Sequence, residues 1–256
     1  ELTITATTDQ TKIFDSEDPV FDYTASGYVT VEDENILTGE LTREAGEDVG
    51  IYAIELGTLD AGDNYTLNLT PADFEILPAT QTGLEFADDS FTYDGEVKSL
   101  AVTGLEDDTT VVYDNNDQTN VGSYTVEATV TRANFEDKVL EATLTIEKAE
   151  SIITADASQS FTYDGEVKSI AAELNHDETT LTYLPQQGYI DADTYAVMVE
   201  AEETTNYLSA SKEVFLVIEK AEITGVTFDD DTFIYDGTPK TIEVSGLPEG
   251  ASVVYD

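Results

Sequence analysis

The chain has no cysteine and no tryptophan, a single histidine and only six prolines. Without cysteine there can be no disulfide, no thiolate-ligated metal and no cysteine nucleophile, and the redox compartment stays undetermined. With His176 alone there is no histidine pair to hold zinc, and neither a serine elbow nor a glycine-rich phosphate loop occurs. Cations are scarce as well: ten Lys and Arg stand against 55 Asp and Glu, a formal net charge of −45. Such a charge repels nucleic acid and anionic lipid, so neither is an expected partner. No apolar run approaches the roughly 18 residues needed to span a bilayer, which excludes direct membrane insertion by a helix. The first residues also lack the basic and apolar regions of a secretion signal.

What the chain does have is material for strands. Fourteen Tyr and ten Phe accompany abundant Thr, Val and Ile, a composition that fits pleated, half-buried surfaces rather than disorder. Its 256 residues leave room for two ordinary domains, or for more if each is a small sandwich. Folding compresses like charges, so stability is expected to rise with salt or divalent cations.

The sequence repeats. Phe91-Thr92-Tyr93-Asp94-Gly95-Glu96-Val97-Lys98-Ser99 returns 70 residues later at Phe161–Ser169, and a looser copy, Phe233-Ile234-Tyr235-Asp236-Gly237-Thr238-Pro239-Lys240-Thr241, follows after 72. Ile146-Glu147-Lys148-Ala149-Glu150 recurs as Ile218-Glu219-Lys220-Ala221-Glu222, and Asn134-Phe135 as Asn206-Tyr207. Val49-Gly50-Ile51-Tyr52 stands in step with Val121-Gly122-Ser123-Tyr124, which brings the opening segment into the series. The units are 1–78, 84–150, 151–222 and 223–256. The segment 77–83 is the one turn-rich joint, and the other joints have almost no linker, which restricts hinge motion. The last unit stops at Val253-Val254-Tyr255-Asp256, matching Val111–Asp114, so it reads as the first half of a repeat and the chain as a piece of something longer. Half a sandwich would expose an unpaired edge and need completing.

Within each unit, alternating runs are broken by Gly, Asp and Asn about every ten residues, the pattern of an antiparallel sandwich. In 195–201 the odd positions make one apolar face, and in 124–130 the even positions do. Tyr52, Tyr124 and Tyr195 each open a strand just after an Asx-bearing turn, the layout of a tyrosine corner whose phenol returns to upstream backbone. The expected fold class is therefore all-β: tandem immunoglobulin-like sandwiches arranged in series as an elongated rod. In Tyr93-Asp94-Gly95 and its copies a strand enters a tight turn, where glycine supplies positive φ.

These motifs carry a family resemblance. The Tyr-Asp-Gly hairpin, the Gly-x-Tyr strand and the Ile-Glu-Lys-Ala exit resemble the tandem immunoglobulin-like YDG and MBG repeats of large secreted bacterial surface proteins, including gliding and biofilm adhesins. Residues 84–222 resemble two YDG-type units. Residues 1–78, with Lys12-Ile13-Phe14-Asp15-Ser16-Glu17-Asp18-Pro19, Leu41-Thr42-Arg43-Glu44-Ala45-Gly46 and Asn64-Tyr65, resemble an MBG unit. The resemblance implies an extracellular, cell-surface location, neighbouring repeats of one long polypeptide as partners, and no catalytic residues. One departure is Asp193, which stands where the siblings have Gly50 and Gly122 and is expected to loosen that corner.

Lys98, Lys168 and Lys240 share one repeat position. The plain reading is a local ion pair with Glu96 on the same strand face, worth at most about 1 kcal/mol. The sharper reading, an amide bond to an Asn or Asp, needs a buried apolar site, whereas Lys98 sits among polar residues beside a turn. Among the acidic loops, Asp114-Asn115-Asn116-Asp117 could supply oxygen ligands, so Asp114 and Asp117 are the candidate calcium pair. The alternative is solvated loops with diffuse cation screening. It is no EF-hand, since Thr125 occupies the place of the bidentate glutamate. No cofactor is required, and His176 is expected in a surface loop. The expected function is a structural stalk that carries tension and presents a distal adhesive tip. The alternative is a module whose loops, chiefly those of 1–78, bind a surface glycan or protein; a third, compatible with both, is calcium-tuned rigidity.

Overall fold

The computed structural model describes residues 1–29 and 31–256. Its secondary structure is β throughout, save one 3-10 turn at Glu34–Ile36, and among the described residues no helix is long and apolar enough to cross a membrane. The chain forms two compact units, Glu1–Glu147 and Lys148–Asp256.

The first unit opens with β1 (Leu2–Ala6), in which Leu2, Ile4 and Ala6 are buried and the alternate threonines face outward. The chain then crosses to a second sheet as β2 (Gln10–Ile13), with Asp9 taking the left-handed conformation at the corner. There follow β3 (Tyr23–Ser26), β4 (Thr42–Arg43), β5 (Gly50–Glu55), β6 (Leu67–Thr70) and β7 (Asp73–Leu77). Two sheets result, in the orders β3-β1-β6 and β2-β7-β5-β4. Between them lie Leu2, Ile4, Ile54, Phe74 and Ile76, with Phe21 edge-on to Phe74 at 5.1 Å.

The second repeat contributes β8 (Asp89–Thr92), β9 (Thr110–Asp114), β10 (Gly122–Thr131) and β11 (Lys138–Glu147), in the order β8-β11-β10-β9. Val126, Ala128, Val130 and Leu144 make the inward face of its long hairpin and are fully buried. The opposite layer is not a second regular sheet. It consists of extended segments joined at one bridge, Glu85↔Thr103, from which Leu84, Phe86, Leu100 and Val102 cover the core.

In the second unit the third repeat regains a minimal second sheet, β12 (Ile153–Thr154) against β14 (Glu173–Leu174). Its main sheet runs β13 (Ser158–Thr162), β17 (Ala210–Glu219), β16 (Thr194–Ala201), β15 (Leu181–Leu184). Residues 223–256 form no strand; their backbone pairing is the single bridge Thr227↔Ser245. Phe233 and Tyr235 match Phe161 and Tyr163, but no hairpin like β16–β17 covers them, and Tyr235 stays 93% exposed.

The sandwiches depart from the antiparallel expectation in several parallel pairs, one of them β1 with β6 in the smaller sheet of the first repeat. The strand that opens the larger sheet lies parallel to the strand that closes the repeat in all three cases: β2 with β7, β8 with β11, and β13 with β17.

Candidate functional site

The recurring Tyr-Asp-Gly turn is built from its own residues. Gly95 has φ +83°, which a β-carbon would strain. Asp94 Oδ1 accepts the Glu96 N–H at 2.9 Å while Oδ2 pairs with Lys98 Nζ at 2.6 Å. One carboxylate thus closes an Asx turn and anchors the lysine. The same geometry recurs at Asp164 with Lys168 and at Asp236 with Lys240. The Lys98 partner is therefore Asp94 rather than Glu96, because residues 94–98 form a turn that brings positions four apart together. The lysine and the backbone N–H hold the Asp94 and Asp164 carboxyls below their usual range, and Lys240 with Thr238 brings Asp236 down to about 2.

Each strand-opening tyrosine donates its hydroxyl four residues back: Tyr52 to the Asp48 carbonyl at 2.7 Å, Tyr124 to Asn120 at 2.9 Å and Tyr195 to Asp191 at 3.0 Å. A β-carbon at Gly122 would meet the Tyr124 hydroxyl at 2.8 Å. Where Asp193 takes that place, the Tyr195 ring instead stacks on Tyr189 at 4.2 Å and still reaches its carbonyl.

Within the first unit these corners meet the next repeat. Asn134, at φ +65°, accepts the Val49 N–H at 2.8 Å and donates to Asp48 Oδ1 at 2.9 Å. Phe135 sets its ring edge-on to Phe14 at 5.6 Å and lies under the Arg132 guanidinium at 4.3 Å. The segment 77–83 is not a free linker. Ala79 bonds on both sides of Phe135, to the Asn134 carbonyl and the Glu136 N–H. Buried Gln81 donates to the carbonyls of Val130 and Glu136. The second unit repeats the backbone part: Ala149 bonds the Asn206 carbonyl and the Leu208 N–H.

The first repeat holds a charge cluster that its siblings lack. Lys12 and Arg43, each with a side chain 5% exposed, share Asp18 and Glu47 at 2.6 to 2.8 Å. Arg43 also donates to the Gly46 carbonyl and lies over the Tyr52 and Phe74 rings. Its fork and the Lys12 ammonium hold the Asp18 carboxyl below its usual range.

Asp114 ends β9, and Asp117 turns the following loop at φ +60°. Between them the two asparagines serve the fold: Asn116 bonds both backbone groups of Leu100, and Asn115 donates to the Thr125 carbonyl. Among the described residues no three acidic or imidazole side chains gather into a metal-holding group. His176 is more engaged than a plain surface loop residue would be. Its ring stacks on Tyr207 at 3.6 Å, Nδ1 receives the Glu178 N–H at 3.3 Å, and Nε2 lies 2.9 Å from Ser151 Oγ. Since Ser151 gives its own proton to the Leu208 carbonyl, the ring donates to the hydroxyl and braces the turn instead of activating it.

The repeats match a known family. Residues 2–75 match the MBG domain (YGX type), and residues 83–150 match a second MBG domain, together more than half of the chain. The chain belongs to the MBG-domain family. The unit at 84–150, YDG-like in its motifs, thus falls under an MBG description. No curated protein matches the chain. Among solved structures it is similar to the fibronectin(III)-like modules of Clostridium thermocellum CbhA (12% identity, 54% of this chain and 94% of that one, TM-score 0.21). It is also similar to a SusE-like surface-located polysaccharide-binding protein of Bacteroides thetaiotaomicron (13% identity, 62% and 37%, TM-score 0.24). A third is the insect immune protein hemolin (11% identity, 86% and 68%, TM-score 0.31). The chain spans little more than a third of the Bacteroides protein.

Proposed function

We propose that this chain is a tension-bearing stalk segment of a secreted bacterial surface adhesin, non-enzymatic, with neighbouring repeats of the same polypeptide as its partners. The observation that carries the reading is the parallel pairing, in every full repeat, of the strand that opens the larger sheet with the strand that closes the repeat. The ladder runs from Gln10↔Phe74 to Ile13↔Leu77, from Leu144↔Asp89 to Glu147↔Thr92, and from Ser158↔Phe215 to Thr162↔Glu219. Each is extended by one more bond, Phe14 N–H to Leu77, Tyr93 N–H to Glu147 and Tyr163 N–H to Glu219. Parallel neighbours pulled from opposite ends of a repeat slide past each other, so all the bonds of the ladder are loaded together. A hairpin pulled across its strands opens one bond at a time. The Asn134 contacts and the hydrogen-bonded segment after Leu77 support the same reading, because they fix the junction through which load passes.

Single-molecule stretching of the whole chain tests it. The absence of cysteine allows attachment points to be placed at will, at Glu150 and Glu222 for end-to-end loading of the third repeat, or at Thr182 and Ser211 for loading across its sheet. The end-to-end geometry is expected to rupture at clearly higher force. Equal forces in the two geometries would remove the mechanical reading. Saturable binding of the chain to a glycan panel would favour the alternative, a ligand-binding module. Protease release of the parent protein from intact cells tests the surface location.

A further inference from the structure

The outer face of the third repeat's main sheet differs from those of its siblings. Strand register places Ala196 opposite Phe215, Thr194 opposite Val217, and Met198 between Leu184 and Glu213. Leu184, Met198, Ala196, Phe215 and Val217 therefore form a diagonal apolar stripe across three strands, with Leu184 55% and Phe215 39% exposed. In the second repeat the same five register positions carry Asp114, Glu127, Thr125, Thr143 and Thr145. In the first they carry Thr42, Glu55, Ala53, Asp73 and Glu75. The inward residues are alike in all three, so sandwich packing does not account for the change. The siblings expose apolar residues on this face too, but away from those five positions: Val112 and Val139 at the far end of the sheet in the second repeat, either side of Thr129, and Ile51 and Ile13 at the other end in the first, opposite Glu75 and Leu77. An apolar stripe kept in water in a chain with 55 acidic residues is a feature that binding would explain.

The surroundings select the occupant. The charged groups that border the stripe on this face are Glu200, Glu213 and Glu219, all of one sign, alongside Ser158, Ser160, Thr162, Thr182 and Ser211. Lys212, the basic residue of β17, points to the opposite side and bonds the Ala155 carbonyl. A second copy would bring three more glutamates against these three at a net charge of −45 on each chain, which opposes face-to-face self-association. We propose that this face docks a cationic amphipathic polypeptide segment, whose apolar residues cover Leu184, Met198 and Phe215 while its Lys or Arg side chains meet Glu200, Glu213 and Glu219.

The test uses the whole chain and two synthetic peptides of equal charge, one alternating lysine with leucine and one alternating lysine with serine. Net charge alone binds both alike; the stripe favours the leucine peptide, by about tenfold or more in Kd. A variant carrying L184D, M198E, F215T and V217T puts second-repeat residues at four of the positions, all of which the sibling fold already accepts. It also adds two negative charges, so a fall in affinity for the leucine peptide cannot come from weaker attraction. The expected result is loss of the preference between peptides, with the thermal unfolding of the repeat retained. Equal binding of both peptides by the parent chain, or an unchanged preference in the variant, overturns the proposal. A concentration-dependent dimer in sedimentation that the variant lacks would also overturn it, by assigning the face to a second copy.

Discussion

Asn134 and Asp48, 86 residues apart, are joined side chain to side chain at 2.9 Å, and the same carboxamide accepts the Val49 N–H at 2.8 Å. The left-handed backbone at Asn134 is what lets it face backward, a conformation asparagine tolerates better than most residues. Asn134→Ala is expected to lose both bonds and to strain the turn, about 2 kcal/mol in all. Asn134→Gly keeps the backbone and loses only the carboxamide, so it falls between. Calorimetry should show the first and second repeats melting less cooperatively in the alanine variant. If both variants melt as the parent does, the carboxamide has no part in coupling the repeats.

The Asp94 carboxylate has two separable jobs. Asp94→Asn keeps an oxygen for the Glu96 N–H but gives up the charge facing Lys98, and Asp94→Ala gives up both. The second repeat is expected to be most stable in the parent, less so in the asparagine variant and least in the alanine variant. The carboxyl is held below its ordinary range in the folded state, first by Lys98 and then by the Glu96 N–H. The stability it contributes is therefore full above the unfolded carboxylate pKa and disappears as pH falls through the lowered folded value. Asp236, brought to about 2, should follow the same course to lower pH. Carboxyl carbon shifts from NMR read each site separately, which matters because protonating the other acids relieves repulsion at the same time.

Gln10 and Gln159 each act as a spare peptide group between two strands that have drawn apart. Gln10 accepts the Asp22 N–H and donates to its carbonyl, and Gln159 does the same with Ala171, at 2.9 and 2.7 Å. In the second repeat the matching position is Asp89, which bonds the neighbouring Ser90 N–H instead. Asp89→Gln is expected to bridge to Ala101 and to stabilise that repeat by about 1 kcal/mol. Chemical denaturation should find a higher midpoint with an unchanged slope. A lower midpoint would mean that the Ser90 contact is worth more than the bridge.

Legibility in the sequence followed the distance over which each cause acts. The period, the inward alternation of 124–130 and 195–201 and the glycine turns are local effects, and each could be read from neighbouring residues. Strand alternation points Lys98 to Glu96, but residues 94–98 form a turn, which brings Asp94 to the lysine instead. Asn134-Phe135 is visible as a marker in step with the period, but its role depends on a preceding repeat that sequence spacing does not bring near. The apolar outer face was within reach: once the odd positions of 195–201 are set inward, Ala196 and Met198 must point out, and comparison with Thr125 and Glu127 reveals the change.

The last expectation concerns cations. With 55 acidic groups and ten basic ones, repulsion in the folded state should weaken as salt shortens the reach of each charge, about 10 Å at 0.1 M. Thermal midpoints are expected to rise with sodium chloride and to rise further with divalent cations at equal ionic strength. Diffuse screening predicts that magnesium and calcium act alike, and that Asp114→Asn with Asp117→Asn lowers neither effect beyond the loss of two charges. A specific site predicts a calcium increment that magnesium does not reproduce and that the double variant abolishes. The loop geometry favours the first outcome: Asn115 and Asn116 are already committed to the Thr125 and Leu100 backbone, which leaves Asp114 and Asp117 two carboxylates towards the six to eight oxygens calcium takes. A calcium-only increment lost in the double variant would therefore require the loop to rearrange around the ion.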